Sequence, residues 1–377
     1  MAKKEKIKYW DIWNILSVEA RYYLVIGERS NGKTYGTLQY CLEEYFSNGS
    51  EFAYIRRWDE DLVGKKGESL FNGHIKNGVI KKLSKGKWNH IVYKSRAYYL
   101  AFIDDEDKMM TDNRPFAYAF ALTQQEHYKS NSYPNIRNII FDEFLTRGVY
   151  LPDEFVTFQN LLSTLIRLRD DVKIFMLGNT VNRFCPYFKE MGLSRIRNQK
   201  EGTIDVYEYG ESGLKVAVEY ACIDKKIKKS NVYFAFNNPR LEMIKNGAWE
   251  IDIYPHYPRD IYEGINPLID VKYKFYIDFE DNILQCEIIY KKTDREGNKK
   301  PSYFLFIHPK TTPLKDVKKE IIYSQTPSPL PNYRRKLTKA TSIIERKIQS
   351  FFVKDKVFYS DNETGEVMRN YLAWCKS

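Results

Sequence analysis

Apolar positions along the first half of the chain fall into short continuous runs separated by stretches with helical spacing. The run Tyr22–Ile26 contains no charged residue and predicts a strand buried on both faces. From Thr34 to Tyr45 apolar residues recur at helical intervals, so a helix is expected there. EFAYIRRW (Glu51–Trp58) predicts a second strand leading into Arg56 and Arg57. Lys65–Lys108 alternates aromatic and β-branched runs with Gly and Lys clusters, which predicts a β-hairpin insertion. AYAFALT (Ala117–Thr123) and Ile139–Phe141 predict further strands, joined by the polar loop QQEHYKSNSYPN. Phe155–Arg169 has helical spacing, and VKIFMLGN (Val172–Asn179) is a strand ending in a polar side chain. Strands alternating with helices in this way predict an α/β domain built on a central, mainly parallel sheet.

The last third changes character. YKFYIDFEDNILQCEIIYKK (Tyr273–Lys292) predicts a two-stranded hairpin and SYFLFIH a third strand. Ser324–Ala340 is proline-rich and predicts a loop, whose YRRK is the strongest candidate there for nucleic-acid contact. The expected division is an α/β domain over 1–223, a linker over 224–263 and a smaller α+β domain over 264–377. A length of 377 residues independently favours two cores.

Charge points to a partner. Lys and Arg number 60 against 49 Asp and Glu, a net +11, and the segment 264–377 holds 21 basic and 14 acidic residues. A basic, aromatic-rich surface suits a polyanion; a solvated surface that binds nothing is the alternative. No run approaches eighteen apolar residues, and MAKKEKIKYW has no apolar core behind it. Neither a membrane span nor a signal peptide is indicated, and a cytosolic location is expected. Five scattered cysteines with no C-x-x-C pair point to reduced thiols, and five dispersed histidines suggest no metal cluster.

Between the first strand and its helix stands GERSNGKT, which fits G-x-x-x-x-G-K-[ST]. In such a loop Gly27, Arg29, Ser30, Asn31 and Gly32 wrap the phosphates, Lys33 reaches the outer ones and the Thr34 hydroxyl ligates Mg²⁺. At the end of NIRNIIFDEF, Asp142 is placed to hold Mg²⁺ through water and Glu143 to polarise the attacking water. A glutamate that activates water favours an ATPase over a small-molecule kinase, which must exclude water. Arg56 or Arg57, at a strand end, is either turned to phosphate or the acid pair, or forms a surface pair. Asn179 is either a sensor of the γ-phosphate or the start of a turn. Arg167 and Arg169 either reach a neighbouring subunit's nucleotide or complement a helix C-terminus.

Taken together, GERSNGKT, YIRR, YKSNSYPN…IIFDEF and MLGN resemble the DNA-packaging (encapsidation) ATPases of small podophages with terminal-protein-primed genomes, over roughly residues 20–190. The resemblance implies a P-loop ATPase of the ASCE type, with an additional strand and a catalytic glutamate. It implies ATP and Mg²⁺ as cofactors and a homomeric, pentameric ring docked on a viral prohead in the host cytoplasm. That ring drives double-stranded DNA through the portal and in such phages is tethered by a structural RNA. Lys33 and Thr34 then take the phosphate and Mg²⁺ roles, Asp142 and Glu143 the acid roles, and Arg167 the trans-acting finger, with Arg169 beside it. Lys129 matches a basic residue that acts across the subunit interface. The C-terminal domain is implied to be RNase H-like, a nuclease fold without working metal acids; Asp278 stands where one acid would be, and no cleavage is expected. A helicase or other translocase, a small-molecule kinase, and a non-catalytic nucleic-acid scaffold are the alternatives.

Overall fold

The computed structural model describes residues 9–146, 150–180, 184–222, 254–257, 264–280, 282–293, 296–314 and 317–376. Contacts divide the chain into Met1–Glu250 and Ile251–Ser377. Of the expected linker, 224–253 and 258–263 lie outside the described residues.

In the first unit the strands are β1 (Tyr22–Gly27), β2 (Glu51–Arg56), β3 (His90–Lys94), β4 (Ala97–Ile103), β5 (Met109–Ala121), β6 (Ile136–Asp142), β7 (Lys173–Asn179), β8 (Ile204–Tyr209) and β9 (Leu214–Ala221). They form one sheet in the order β3-β4-β5-β2-β6-β7-β1-β9-β8. From β5 to β9 every neighbouring pair is parallel, whereas β3, β4 and β8 add antiparallel edges. β7 stands between the phosphate-loop strand β1 and the acid strand β6, which is the additional-strand order expected. Because these strands run the same way, Gly27, Arg56, Asp142 and Asn179 all arrive at one sheet edge.

Both faces of the sheet are covered, which is why β1 is an unbroken apolar run. Leu24 and Ile26 pack with Phe141, Phe158 and Leu161 on one face. Tyr23 and Val25 pack with Leu38, Phe52 and Phe71 on the other. The helix after the phosphate loop spans Lys33–Asn48, started by Gly32 and stopped by Gly49, both at positive φ.

Two expectations about elements are corrected. The insertion is a β-hairpin only in its second half, where β3 and β4 extend the sheet. Its first half is a set of short helical turns, Lys65–Glu68, Ser69–Phe71, Asn72–Lys76 and Val79–Leu83. Phe71, Ile75, Ile80 and Leu83 recur at intervals of three to five residues, a helical rather than an alternating pattern, and they pack onto the core through Phe71 and Ile80. The second helix runs over Glu154–Ile166 and stops before Arg167, whose φ of 55° leaves the helix.

The second unit is a six-stranded sheet of β10 (Val271–Phe279), β11 (Asn282–Thr293), β12 (Lys299–Pro309), β13 (Ile322–Ser324), β14 (Tyr333–Arg334) and β15 (Val357–Tyr359), with helices Ile343–Val353 and Asn362–Lys376. Its order is β14-β13-β10-β11-β12-β15. β10, β11 and β12 are antiparallel neighbours, while β13 and β14 join β10's side in parallel. Numbered from β10, the first five strands stand 3-2-1-4-5, the order of an RNase H-like sheet; β15 is an extra parallel strand beside β12. The proline-rich segment is thus not all loop, since Tyr333–Arg334 pairs with β13.

Candidate active site

The phosphate loop is shaped by its glycines. A Cβ on Gly27 would lie 2.7 Å from the Ala221 carbonyl oxygen, so only glycine lets β1 turn beside β9. Within the loop the Lys33 ammonium donates to the Glu28 carbonyl at 2.7 Å and lies 3.4 Å from both the Gly27 carbonyl and Asn179 Oδ1. Burial pushes the Lys33 pKa down to about 8, opposed by the charges of Asp142 and Glu28. Arg29 and Ser30 are exposed at the loop tip, Ser30 at φ 62°. Asn31 is buried; its Oδ1 accepts from the Lys33 N–H at 3.2 Å, and its Nδ2 has no partner among the described residues.

Across the sheet edge the Thr34 hydroxyl lies 3.2 Å from both Asp142 carboxylate oxygens. The Tyr54 hydroxyl donates to Asp142 Oδ2 at 3.0 Å. Burial raises the Asp142 carboxyl, while the Arg56 charge and the Tyr54 and Thr34 hydrogen bonds pull it back down. Thr34 and Asp142 together offer hard oxygen ligands of the kind Mg²⁺ takes, so the residues present fit that ion.

Arg56 settles on the acid pair. Its Nη2 donates to Glu143 Oε2 at 2.7 Å and to Asp61 Oδ2 at 3.2 Å, and its Nη1 is 3.9 Å from Asp142. Glu143 itself has φ 57°, a conformation that costs energy for a non-glycine residue. Arg57 holds that turn: it donates to the carbonyls of Glu143 at 3.1 Å and Phe144 at 2.7 Å, and grips the buried Glu154 carboxylate through Nε at 2.7 Å and Nη2 at 2.9 Å. Sequence reasoning missed Tyr54, Arg57's partner Glu154 and Asp61. Only Tyr54 carried a signal, since it stands two residues before Arg56 and so shares its face of β2.

Three candidates stand elsewhere. Arg167 donates to the Asn131 carbonyl at 2.8 Å, beside an almost wholly solvent-open Leu168. Arg169 is bound to backbone carbonyls of Tyr133, Pro134, Ile136, Leu165 and Ile166. Those bonds hold the loop before β6, a structural task. Lys129 is exposed and paired with Glu126 at 2.5 Å. Arg167 and Arg169 lie toward the start of β6, whereas the phosphate loop and the acids are at its end.

In the second unit Asp278 accepts from the Ser324 hydroxyl at 2.9 Å, so the neighbouring strand brings a serine to it. The YRRK segment is docked: Arg334 is 3.4 Å from Glu345, and Arg335 and Lys336 lie over the Trp374 ring at 5.7 and 5.3 Å.

The sequence profile of the podovirus DNA encapsidation protein (Gp16) family matches residues 4–208, over half of the chain. The chain belongs to that family. Among relatives in the encapsidation family, the DNA packaging protein of Bacillus phage phi29 is 29% identical over 187 residues, 49% of this chain and 50% of that one. The DNA packaging protein of Bacillus phage B103 is 29% identical over 183 residues, 48% of this chain and 50% of that one. The chain thus spans about half the length of the curated relatives it matches. In fold it is similar to a chain of the bacteriophage Phi-29 viral genome packaging motor assembly, with TM-score 0.56, 21% identity and 96% of each chain covered. It is similar also to the Phi-28 gp11 DNA packaging motor, with TM-score 0.52, 18% identity and 99% of each covered.

Proposed function

We propose that this chain is the ATP-hydrolysing subunit of a ring motor that drives double-stranded viral DNA into a prohead. The observation that carries the reading is the junction of phosphate loop and acid strand: the Thr34 hydroxyl meets both Asp142 oxygens while Arg56 holds Glu143 beside them. The encapsidation-family match and the names of the relatives, DNA packaging proteins, supply the direction of that chemistry.

In this mechanism the loop N–H groups, Lys33 and the Asn31 amide bind the triphosphate. Thr34 and Asp142 would hold Mg²⁺, which would supply positive charge to offset that of the triphosphate. Glu143 orients water and takes its proton, and Arg56 keeps the carboxylate in place until the γ-phosphate arrives. Asn179, one hydrogen bond from Lys33, reports the γ-phosphate to β7.

Arg167 acts in trans. The helix it follows begins at Glu154, under Glu143, and 13 residues at about 1.5 Å each carry it roughly 20 Å away. A phosphate that meets Arg167 is therefore a neighbouring subunit's, and Lys129, two residues from the Asn131 carbonyl that Arg167 grips, serves the same interface. The ring, its pentameric size, its docking on the portal from the host cytoplasm and an RNA tether follow the family resemblance. The second unit binds nucleic acid and does not cut it; Ser324 beside Asp278, in place of a second carboxylate, supports that. Among the described residues no helix is long and apolar enough to cross a membrane.

The test is phosphate release from ATP with and without double-stranded DNA. Wild type is expected to be stimulated by DNA, and Glu143→Gln to lose at least about a hundredfold in turnover while still binding ATP. DNA-independent turnover unchanged in Glu143→Gln would overturn the assignment and favour the kinase.

A further inference from the structure

Tyr54 stands in β2 with Ala119 of β5 opposite it on one side and Ile140 of β6 on the other. Its ring lies in the core cluster that also holds Phe52 and Leu38. The residue is 5% exposed, and a phenylalanine would fill the same space. Packing therefore does not account for the hydroxyl. A buried hydroxyl is kept where it has a partner, and this one donates to Asp142 Oδ2 at 3.0 Å. Because β2 is paired along both edges, that donor rests on a fixed backbone.

The last torsion of an aspartate is broad and two-fold, so the plane of its carboxylate is set by the groups that bond it. At Asp142 the Glu143 N–H donates to Oδ1 at 3.1 Å, the Tyr54 hydroxyl to Oδ2, and the Thr34 hydroxyl lies 3.2 Å from each oxygen. The other groups around this carboxylate carry second tasks. Thr34 is a candidate ligand of the same ion, and the Glu143 N–H belongs to a turn at φ 57°. Arg56 is 3.9 Å away and has nearer contacts with Glu143 and Asp61. Tyr54, two residues inside the strand that Arg56 ends, is the donor rooted within the sheet.

We infer that Tyr54 is a positioning residue for the metal: its hydroxyl fixes the plane of the Asp142 carboxylate beside Thr34, and so sets the affinity of the site for Mg²⁺ rather than for the nucleotide. Partners of this kind behind a metal ligand orient it, and their loss is felt first in metal affinity. The inference rests on the reading above of Thr34 and Asp142 as the residues that hold Mg²⁺ with ATP. Tyr54 itself touches neither ion nor phosphate in this account; it acts through Asp142.

Calorimetric titration of the full chain with ATP, in EDTA and across a series of Mg²⁺ concentrations, tests it. Tyr54→Phe is expected to bind ATP in EDTA as wild type does. It should need about tenfold more Mg²⁺ to reach half of the metal-dependent gain in ATP affinity. Mn²⁺ followed by electron paramagnetic resonance should show the same shift in the ion's own binding to the ATP complex. Turnover of the variant should fall at limiting Mg²⁺ and return in excess Mg²⁺. A loss of ATP binding that is equally large in EDTA, or turnover that excess Mg²⁺ does not restore, would show that the hydroxyl serves the fold and overturn the inference. A Mg²⁺ dependence equal to that of wild type would overturn it too and leave the reading of Thr34 and Asp142 intact. Wild-type ATP binding that ignores Mg²⁺ would remove that reading, and the inference with it.

Discussion

Lys33 is the phosphate-loop residue whose ionisation burial disturbs. Burial lowers its pKa to about 8, from an ordinary 10.5, so the free protein above pH 8 holds it mostly neutral. A bound triphosphate favours the ammonium form, and binding in that range must take up a proton. ATP affinity is expected to be level below pH 8 and to fall above it, with a proton uptake at pH 8.5 that calorimetry in buffers of different ionisation enthalpy would show. No uptake would mean that Lys33 stays charged in the free loop. The sign for stability is separate: between pH 8 and 10.5 the unfolded chain binds the proton that the folded one has lost, so this lysine makes folding more favourable as pH rises through that window. Lys33, Thr34, Asp142 and Glu143 were legible in the sequence because a glycine loop and a strand end fix their positions locally. The Arg57–Glu154 pair was not, because its partners lie 97 residues apart and pairing over such a distance leaves no local pattern, and of Tyr54 only its place two residues before Arg56 was legible.

At the scale of elements the Arg57–Glu154 pair joins the end of β2 to the start of the Glu154–Ile166 helix. Arg57 is 4% and Glu154 1% exposed, and the Tyr187 hydroxyl donates to the same carboxylate at 2.9 Å. Removing one partner leaves a buried charge uncompensated. Arg57→Ala is therefore expected to cost about 3–5 kcal/mol in denaturant unfolding, and a loss below about 1 kcal/mol would show that the pair is not structurally important. The variant should also lose turnover, because Arg57 supports the strained backbone of Glu143. Strands β1, β6 and β7 were legible because each is a short apolar run, whereas β14 was not, because its two residues stand in a proline-rich stretch. The helical half of the insertion was not, because glycines at 67, 73 and 78 break its periodicity into pieces shorter than two turns.

For the whole molecule, strand order lay beyond the sequence: the 3-2-1-4-5 arrangement of the second unit comes from pairings that no single run announces, and it entered only through family resemblance. The proposed subunit interface would likewise be a property of the assembly. Arg167 sits in a backbone conformation that costs energy, next to a leucine open to solvent, at the end of the sheet away from its own phosphates. Both features suit a surface that another copy covers. The measurement that tests this account most directly is phosphate release per chain against protein concentration, for wild type and Arg167→Ala, with double-stranded DNA present. The account predicts turnover per chain that climbs as rings assemble, and a loss of at least about a hundredfold in Arg167→Ala at every concentration with ATP binding retained. Turnover independent of concentration, and equal in the variant, would mean that one chain completes its own site and that the shared-site motor is wrong.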